Sequence, residues 1–327
     1  MSDLYPLLLK PEFRERIWGA RDLAPIYGEA PGMAPIGEVW LTGDDCQVVN
    51  GPLAGTTLAE LCRRFGRDLV GETAPEPGRF PLLVKFLFPR QKLSVQVHPD
   101  DDAARRLGQP CGKTECWYVL RADPGARVGL GLKPGATREQ FAQAIREVRA
   151  EQLLNWIDIH PGELIYVDSG TVHAIGPGSV LVETQQNSDT TFRLYDYGRP
   201  RELHVEQGLQ ALKERTRAGK VEAGAVDENL VPLIMSPCFM VTKTRLDKQT
   251  MCGAGSNRGF RKAAVLVGLE GCGVVRHGRE AVTLGRGDAV VIPAAVDDYS
   301  VQPQWSVEYL TMMLPPAIPV EEPQTHL

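Results

Sequence analysis

The chain has 327 residues, 43% hydrophobic and 24% charged, an ordinary globular balance that excludes a wholly disordered chain. Its 33 glycines and 25 prolines exceed the usual combined share of ~12%, which favours short strands joined by turns over a helical bundle. A formal charge of -5 gives no electrostatic footprint for polyphosphate, so nucleic acid is not an expected partner.

From the N-terminus, the apolar run Leu4–Leu9 is broken by Pro6 and followed at once by Glu12, Arg14, Glu15 and Arg16. That is too short and too charged for a signal peptide, and nowhere does an apolar stretch approach the ~18 residues of a membrane helix. Strands are expected at Val39–Thr42, Leu82–Phe88, Leu93–His98, Cys116–Leu120, Glu163–Val167 and Val180–Thr184, runs rich in β-branched and aromatic residues. Thr57 with Glu60 forms a capping-box pattern that opens a helix towards Phe65. Thr137 with Gln140 opens another, in which Phe141, Ile145 and Val148 have helical spacing and Leu153, Leu154 and Ile157 continue the apolar face. A helical insert over about 137–158 and a further helix at Val205–Arg215 are therefore expected. Cysteines 46, 62, 111, 116, 238, 252 and 272 are odd in number and include no C-x-x-C pair, which predicts structural thiols in a reducing cytoplasm.

Small, polar residues at Ala218–Ala225 mark a linker, after which strands resume at Phe239–Arg245, Ala263–Leu269, Gly273–Arg276, Ala289–Ile292 and Val307–Met312. Residues 161–175 align without gaps on residues 286–300, with Gly162 on Gly287, Glu163 on Asp288 and Val167 on Ile292. A turn, an apolar strand and a small-residue turn, repeated, predict a duplicated jelly-roll barrel. The expected fold is all-β: two jelly-roll (cupin) barrels, with helical insertions in or beside the first. Residues 1–220 would form the first barrel, 226–316 the second and 317–327 a tail, with the Pro-rich stretch Pro315–Pro323 loosely held. His173 becomes Asp298 in the second copy, beside Asp297, so that copy is expected to keep the fold without the chemistry.

The chemistry concentrates in the first half. Leu93, Val95 and Val97 alternate with Ser94, Gln96 and His98, so Gln96 and His98 project from one face of a strand, roughly 7 Å apart. Glu115 opens the next strongly apolar strand, and His173 follows a Ser-Gly turn. Two imidazoles, a carboxylate and an amide oxygen suit a borderline divalent ion such as zinc, with a coordination position left open. Each residue taken singly also has a plainer reading: a strand Gln or His is commonly just hydrogen-bonded, and Lys113 stands two residues from Glu115 as a salt-bridge mate.

At these residues the chain resembles the type I phosphomannose isomerases, and most of all their shorter bacterial branch. The matching text is LLVKFLFPRQKLSVQVHPDD at 82–101, GKTECWYVL at 112–120 and VETQQNSDTTFRLYDYGR at 182–199. Arg16-Ile17-Trp18-Gly19 and Gly37-Glu38-Val39-Trp40 are weaker markers, and Ala20 departs from the usual glycine. The resemblance implies one zinc ion per chain held by Gln96, His98, Glu115 and His173. It places Arg193 in the active site and Lys85, Lys113 and Glu183 in the pocket. It implies interconversion of mannose 6-phosphate and fructose 6-phosphate through an enediol(ate), in a cytoplasmic enzyme that is a monomer or a small homo-oligomer and has no membrane partner.

Glu183, Lys113 and Lys85 are the candidates for the proton-transferring group. Arg193 is the candidate phosphate contact, with a bridge to Asp189 or Asp196 as its structural alternative. Lys113, Lys92 and Arg90 read as a local basic group for an anionic substrate. Two other readings stay open: another metal-dependent cupin enzyme acting on sugars, such as an isomerase, epimerase or dioxygenase, and a sugar-phosphate-binding protein without catalysis.

Overall fold

The computed structural model describes residues 4–222, 224, 229–247, 261–296, 298–316 and 323–327. The chain is mostly β, and its named strands pair antiparallel in three sheets. The largest sheet runs Glu12–Ala20, Ile36–Trp40, Leu82–Leu87, Ser179–Gln186, Glu115–Ala122, Leu164–Val167, Gly219–Val221 and Thr325–His326. A five-stranded sheet faces it, ordered Phe192–Tyr195, Val95–Val97, His173–Ile175, Arg127–Leu132 and Leu154–Asp158. The third sheet runs Leu7–Leu9, Ala289–Ile292, Ala264–His277, Ser300–Met313, Met240–Asp247 and Leu230–Met235, with Glu280–Gly285 also on Ala264–His277.

The eight-stranded sheet is the middle layer. Leu87, Trp117, Val119 and Leu181 on its inner face pack with Val128, Leu130 and Ile175 of the five-stranded sheet. Val84, Phe86, Cys116, Tyr118 and Val182 on its outer face pack with Val265, Val267, Val291 and Met312 of the third sheet. Covered on both sides, its central strands are buried over most of their length, and Leu82–Leu87 is buried at every position. The period of two survives in the chemistry: Lys85, Glu115 and Glu183 alternate with apolar neighbours and lie in mutual register with the inward Trp117 and Gln185.

Both capping boxes form. Thr57 caps Leu58–Phe65, and Thr137 caps Arg138–Arg146, with the N3 side chains of Glu60 and Gln140 returning the bonds. The second helix does not continue to 158, as the apolar spacing predicted. Val148 takes a left-handed φ of 58°, a short 3-10 turn covers Ala150–Leu153, and Leu154–Asp158 is a strand. That strand pairs with Arg127–Leu132 because Gly129 leaves room for Leu154; a Cβ there would lie 2.9 Å from Leu154 Cδ1. The helix expected over Val205–Arg215 ends at Ala211, where the chain turns extended and Lys213 donates its N–H to the Gly170 carbonyl. A helix that the periodicity did not signal, Asp101–Arg106, is capped by Asp100, whose carboxylate accepts from Ala103 N–H at 2.9 Å.

Other boundaries differ too: the strand expected at Leu93–His98 is confined to Val95–Val97, and the one expected at Val307–Met312 spans Ser300–Met313. The strands expected at Ala263–Leu269 and Gly273–Arg276 are one bent strand, Ala264–His277, with register shifts at Gly268/Glu270 and Gly271/Gly273. The expected linker contains the strand Gly219–Val221, which pairs on one side with Leu164–Val167. Beyond the Pro-rich stretch, Thr325–His326 pairs on that strand's other side. Residues 317–322, residues 223 and 225 of the linker, Cys252 and Asp297 lie outside the described residues.

The internal echo is visible in the local geometry. Gly162 and Gly287 both take positive φ, 91° and 83°. Glu163 accepts from His160 N–H at 2.8 Å, and Asp288 from Gly285 N–H at 2.8 Å. Each turn leads into a fully buried four-residue strand, Leu164–Val167 and Ala289–Ile292. The two stretches then diverge: His173 is buried, whereas Asp298 is exposed and meets His277 Nδ1 at 3.0 Å.

Candidate metal centre

Three stretches of chain converge between the eight- and five-stranded sheets. Gln96 lies within Val95–Val97 and His98 just past its end; His173 opens His173–Ile175 and is registered opposite Gln96. Glu115 opens Glu115–Ala122 across the gap. His98, Glu115 and His173 are each only 1% exposed, and one ligand atom from each lies within 4.8 Å of the other two.

The imidazoles are fixed by backbone acceptors. His98 Nδ1 lies 3.0 Å from the Thr190 carbonyl, and His173 Nδ1 lies 2.9 Å from the Thr171 carbonyl. A carbonyl only accepts, so each Nδ1–H donates and each Nε2 presents a lone pair. Burial, joined at His98 by the Lys113 ammonium, pushes both rings below their ordinary range, His173 to about 4, so both are neutral near pH 7.

Those lone pairs face Glu115: His98 Nε2 is 3.5 Å from Oε2, and His173 Nε2 is 3.4 Å from Oε1. Lys113 Nζ is the one cation at the cluster among the described residues, 2.8 Å from Oε2 and 3.0 Å from His98 Nε2, while Oε1 has no hydrogen-bond donor. Burial, only partly opposed by Lys113, raises the Glu115 carboxyl to about 7. Acceptors turned towards acceptors in a buried site are costly, and a divalent cation between them relieves the cost. The donor set fits such an ion. Gln96 completes the surround: its amide lies 3.2 Å from His173 Nε2, and a half-turn would present its oxygen instead.

Beside the cluster, Lys85 and Glu183 form a buried pair, with Nζ 3.0 Å from Oε2. Trp117 Nε1 donates to the other Glu183 oxygen at 3.1 Å, and Lys85 also donates to Gln185 Oε1 at 2.8 Å. Burial pushes Glu183 up, but Lys85 and Lys113 outweigh it and hold the carboxyl down at about 2. Burial likewise disfavours the Lys85 ammonium, and Glu183 and Glu38 reverse that, raising it above its ordinary value. Glu38 joins this network from the neighbouring strand, accepting from Trp40 Nε1 at 2.7 Å and pairing with Arg16 at 2.9 Å.

Gln96, His98, Lys113, Glu115 and His173 thus meet, with Lys85 and Glu183 on the same inner sheet face. Arg193 is registered opposite Gln96, but it bridges neither Asp189 nor Asp196. Arg199 and Arg201 take the Asp196 carboxylate, while Arg193 donates to the Glu202 carbonyl at 2.8 Å and its Nε is buried without a partner. Lys113 is buried at the cluster, Lys92 is paired with Glu151 at 2.7 Å, and Arg90 lines a separate cleft with Arg21 and Arg121. Sequence reading did not assign Trp117, Gln185 or the Thr171 and Thr190 carbonyls to the site. Trp117 and Gln185 were within reach, since they alternate in step with Glu115 and Glu183.

A family model for the type I phosphomannose isomerase catalytic domain matches residues 7–118. The chain is 34% identical over 313 residues to the probable mannose-6-phosphate isomerase GmuF of Bacillus subtilis, covering 91% of this chain and 96% of that one. It is 35% identical over 308 residues to a mannose-6-phosphate isomerase of Streptococcus mutans, covering 90% and 94%. In three dimensions it matches the crystal structure of a Bacillus subtilis mannose 6-phosphate isomerase with a TM-score of 0.83 and 29% identity, over 94% of this chain and 99% of that one. This chain belongs to the type I phosphomannose isomerases.

Proposed function

We propose that this protein is a zinc-dependent aldose–ketose isomerase that interconverts mannose 6-phosphate and fructose 6-phosphate through an enediol(ate). The observation that carries this reading is the convergence of the buried Glu115 carboxylate with two neutral imidazole lone pairs, their ligand atoms within 4.8 Å of one another. Gln96, His98, Glu115 and His173 would hold one ion per chain. When bound, the ion supplies a Lewis acid for negative charge developing on the sugar oxygens. Lys85 remains an ammonium beside Glu183 and adds fixed positive charge there. Lys113, whose Nζ lies beside Glu115 and His98 at the cluster, is the proposed group for moving the proton between C1 and C2. Arg193, with a buried unpartnered Nε on a strand beside Gln96, is the proposed phosphate contact.

In this reading, residues 1–220 build a catalytic jelly-roll barrel from the eight- and five-stranded sheets, and 226–316 build a second one that lacks ligands. The free thiols at Cys46, Cys62, Cys111, Cys116, Cys238 and Cys272 suit a reducing cytoplasm. His98→Ala is expected to remove both bound zinc, by elemental analysis, and turnover in a coupled isomerase assay. Full activity in a metal-free preparation of that variant overturns the proposal. For the wild type, exchange of the sugar C2 hydrogen with D2O, followed by NMR, separates conversion from simple binding.

A further inference from the structure

The loop that delivers Lys113 and Glu115 has no ladder partner of its own at Gly112, Lys113 and Thr114. Their N–H groups are taken up one by one. Gly112 N–H donates to Asp101 Oδ1 at 2.7 Å, Lys113 N–H to the Pro99 carbonyl at 3.1 Å, and Thr114 N–H to Gln186 Oε1 at 2.9 Å. Gln186 then closes the arrangement: its Nε2 donates to the same Asp101 Oδ1 at 3.0 Å, and its own N–H donates to the Thr114 carbonyl at 3.1 Å. Gly112 is pressed against the backbone before it, where an added Cβ would lie 2.7 Å from the Asp100 carbonyl carbon and from Asp101 N. Two side chains thus clamp a buried three-residue segment that ends at a metal ligand.

We infer that Asp101 and Gln186 are positioning residues: they hold the 112–114 loop so that Lys113 and Glu115 meet the two histidines. Asp101 sits in the first turn of Asp101–Arg106, which orients its carboxylate, and Gln186 ends the strand that carries Glu183. Neither touches the ligand atoms. They act through the loop's N–H groups, and outer partners of this kind typically govern metal affinity or activity by roughly 10–100-fold. Both side chains also line an open cleft of about 890 Å³. Truncating them therefore opens no sealed hole, and the fold is expected to survive.

The inference rests on the metal-centre reading and not on the identity of the sugar, so its test begins with zinc. In full-length protein, Asp101→Ala and Gln186→Ala are each expected to weaken zinc binding roughly ten-fold or more, measured by competition with a chromophoric chelator. Hydrogen exchange of the peptide spanning 112–115 should quicken in both variants, and kcat should fall more than KM rises. Asp101→Asn keeps the accepting Oδ1 and should restore most of the affinity. Gln186→Glu keeps the acceptor but turns a second carboxylate on Asp101, and should not. Wild-type zinc affinity and exchange in both alanine variants overturns the clamp. So does an Asp101→Asn variant as impaired as Asp101→Ala. If the wild type binds zinc but does not turn over mannose 6-phosphate, the substrate assignment fails while the affinity and exchange measurements still decide the clamp.

Discussion

Lys85 and Glu183 are almost fully buried, and each is the other's main counter-charge. Removing one member of such a pair leaves an uncompensated charge in the interior, which typically costs ~3–5 kcal/mol. Glu183→Gln is therefore expected to lower stability by about that amount in urea unfolding at pH 7. The pair also sets a pH dependence. In the folded protein, the Glu183 carboxyl lies at about 2, below its ordinary 4.5, so its contribution is complete above pH 4.5 and is lost as pH falls towards 2. A stability–pH curve for Glu183→Gln should be flatter than wild type in that window; parallel curves would show that the pair is not the source. Both residues were singled out beforehand through the family resemblance of the stretches 82–101 and 182–199. Their pairing was not, since they are 98 positions apart and only the sheet register joins them.

Elements defined by short-range chemistry were legible in advance. A capping box is complete within four residues, and both Thr57 and Thr137 form theirs. The segment 154–158 was not legible: Leu153, Leu154 and Ile157 suit a helical face, and pairing with Arg127–Leu132 across Gly129 decides the matter. The long bent strand Ala264–His277 depends on its glycines in the same way. At Gly271, φ is 71° and an added Cβ would lie 2.0 Å from the Ser306 carbonyl oxygen. Gly271→Ala is accordingly expected to cost at least ~1–3 kcal/mol in thermal or chemical unfolding. An unchanged midpoint would mean that the bend relaxes freely. Zinc content should stay at the wild-type level in the folded fraction, because this strand lies in the sheet remote from the ligands.

Across the whole molecule, the chain ends tie the layers together. Leu7–Leu9 forms the edge of the third sheet against Ala289–Ile292, and Thr325–His326 closes the edge of the middle sheet against Gly219–Val221. Leu7 is fully buried in that edge, so Leu7→Ala is expected to destabilise the protein by ~2–5 kcal/mol while leaving zinc affinity intact. A loss below 1 kcal/mol by urea unfolding would show that the N-terminal strand is an ornament of the sheet rather than part of it.

The sequence by itself determined the β-rich class, both helix caps, the echo between 161–175 and 286–300, and the residue types able to bind a metal. Each of these is written in contacts spanning a few positions or in side-chain chemistry. Tertiary structure alone decided that Glu115 faces two neutral imidazoles, that Lys92 pairs with Glu151, and that Leu7–Leu9 and Thr325–His326 join sheets whose other strands lie far away in the chain. Those outcomes depend on register and on layer packing, which sum many weak contacts between distant segments. No local pattern encodes such a sum.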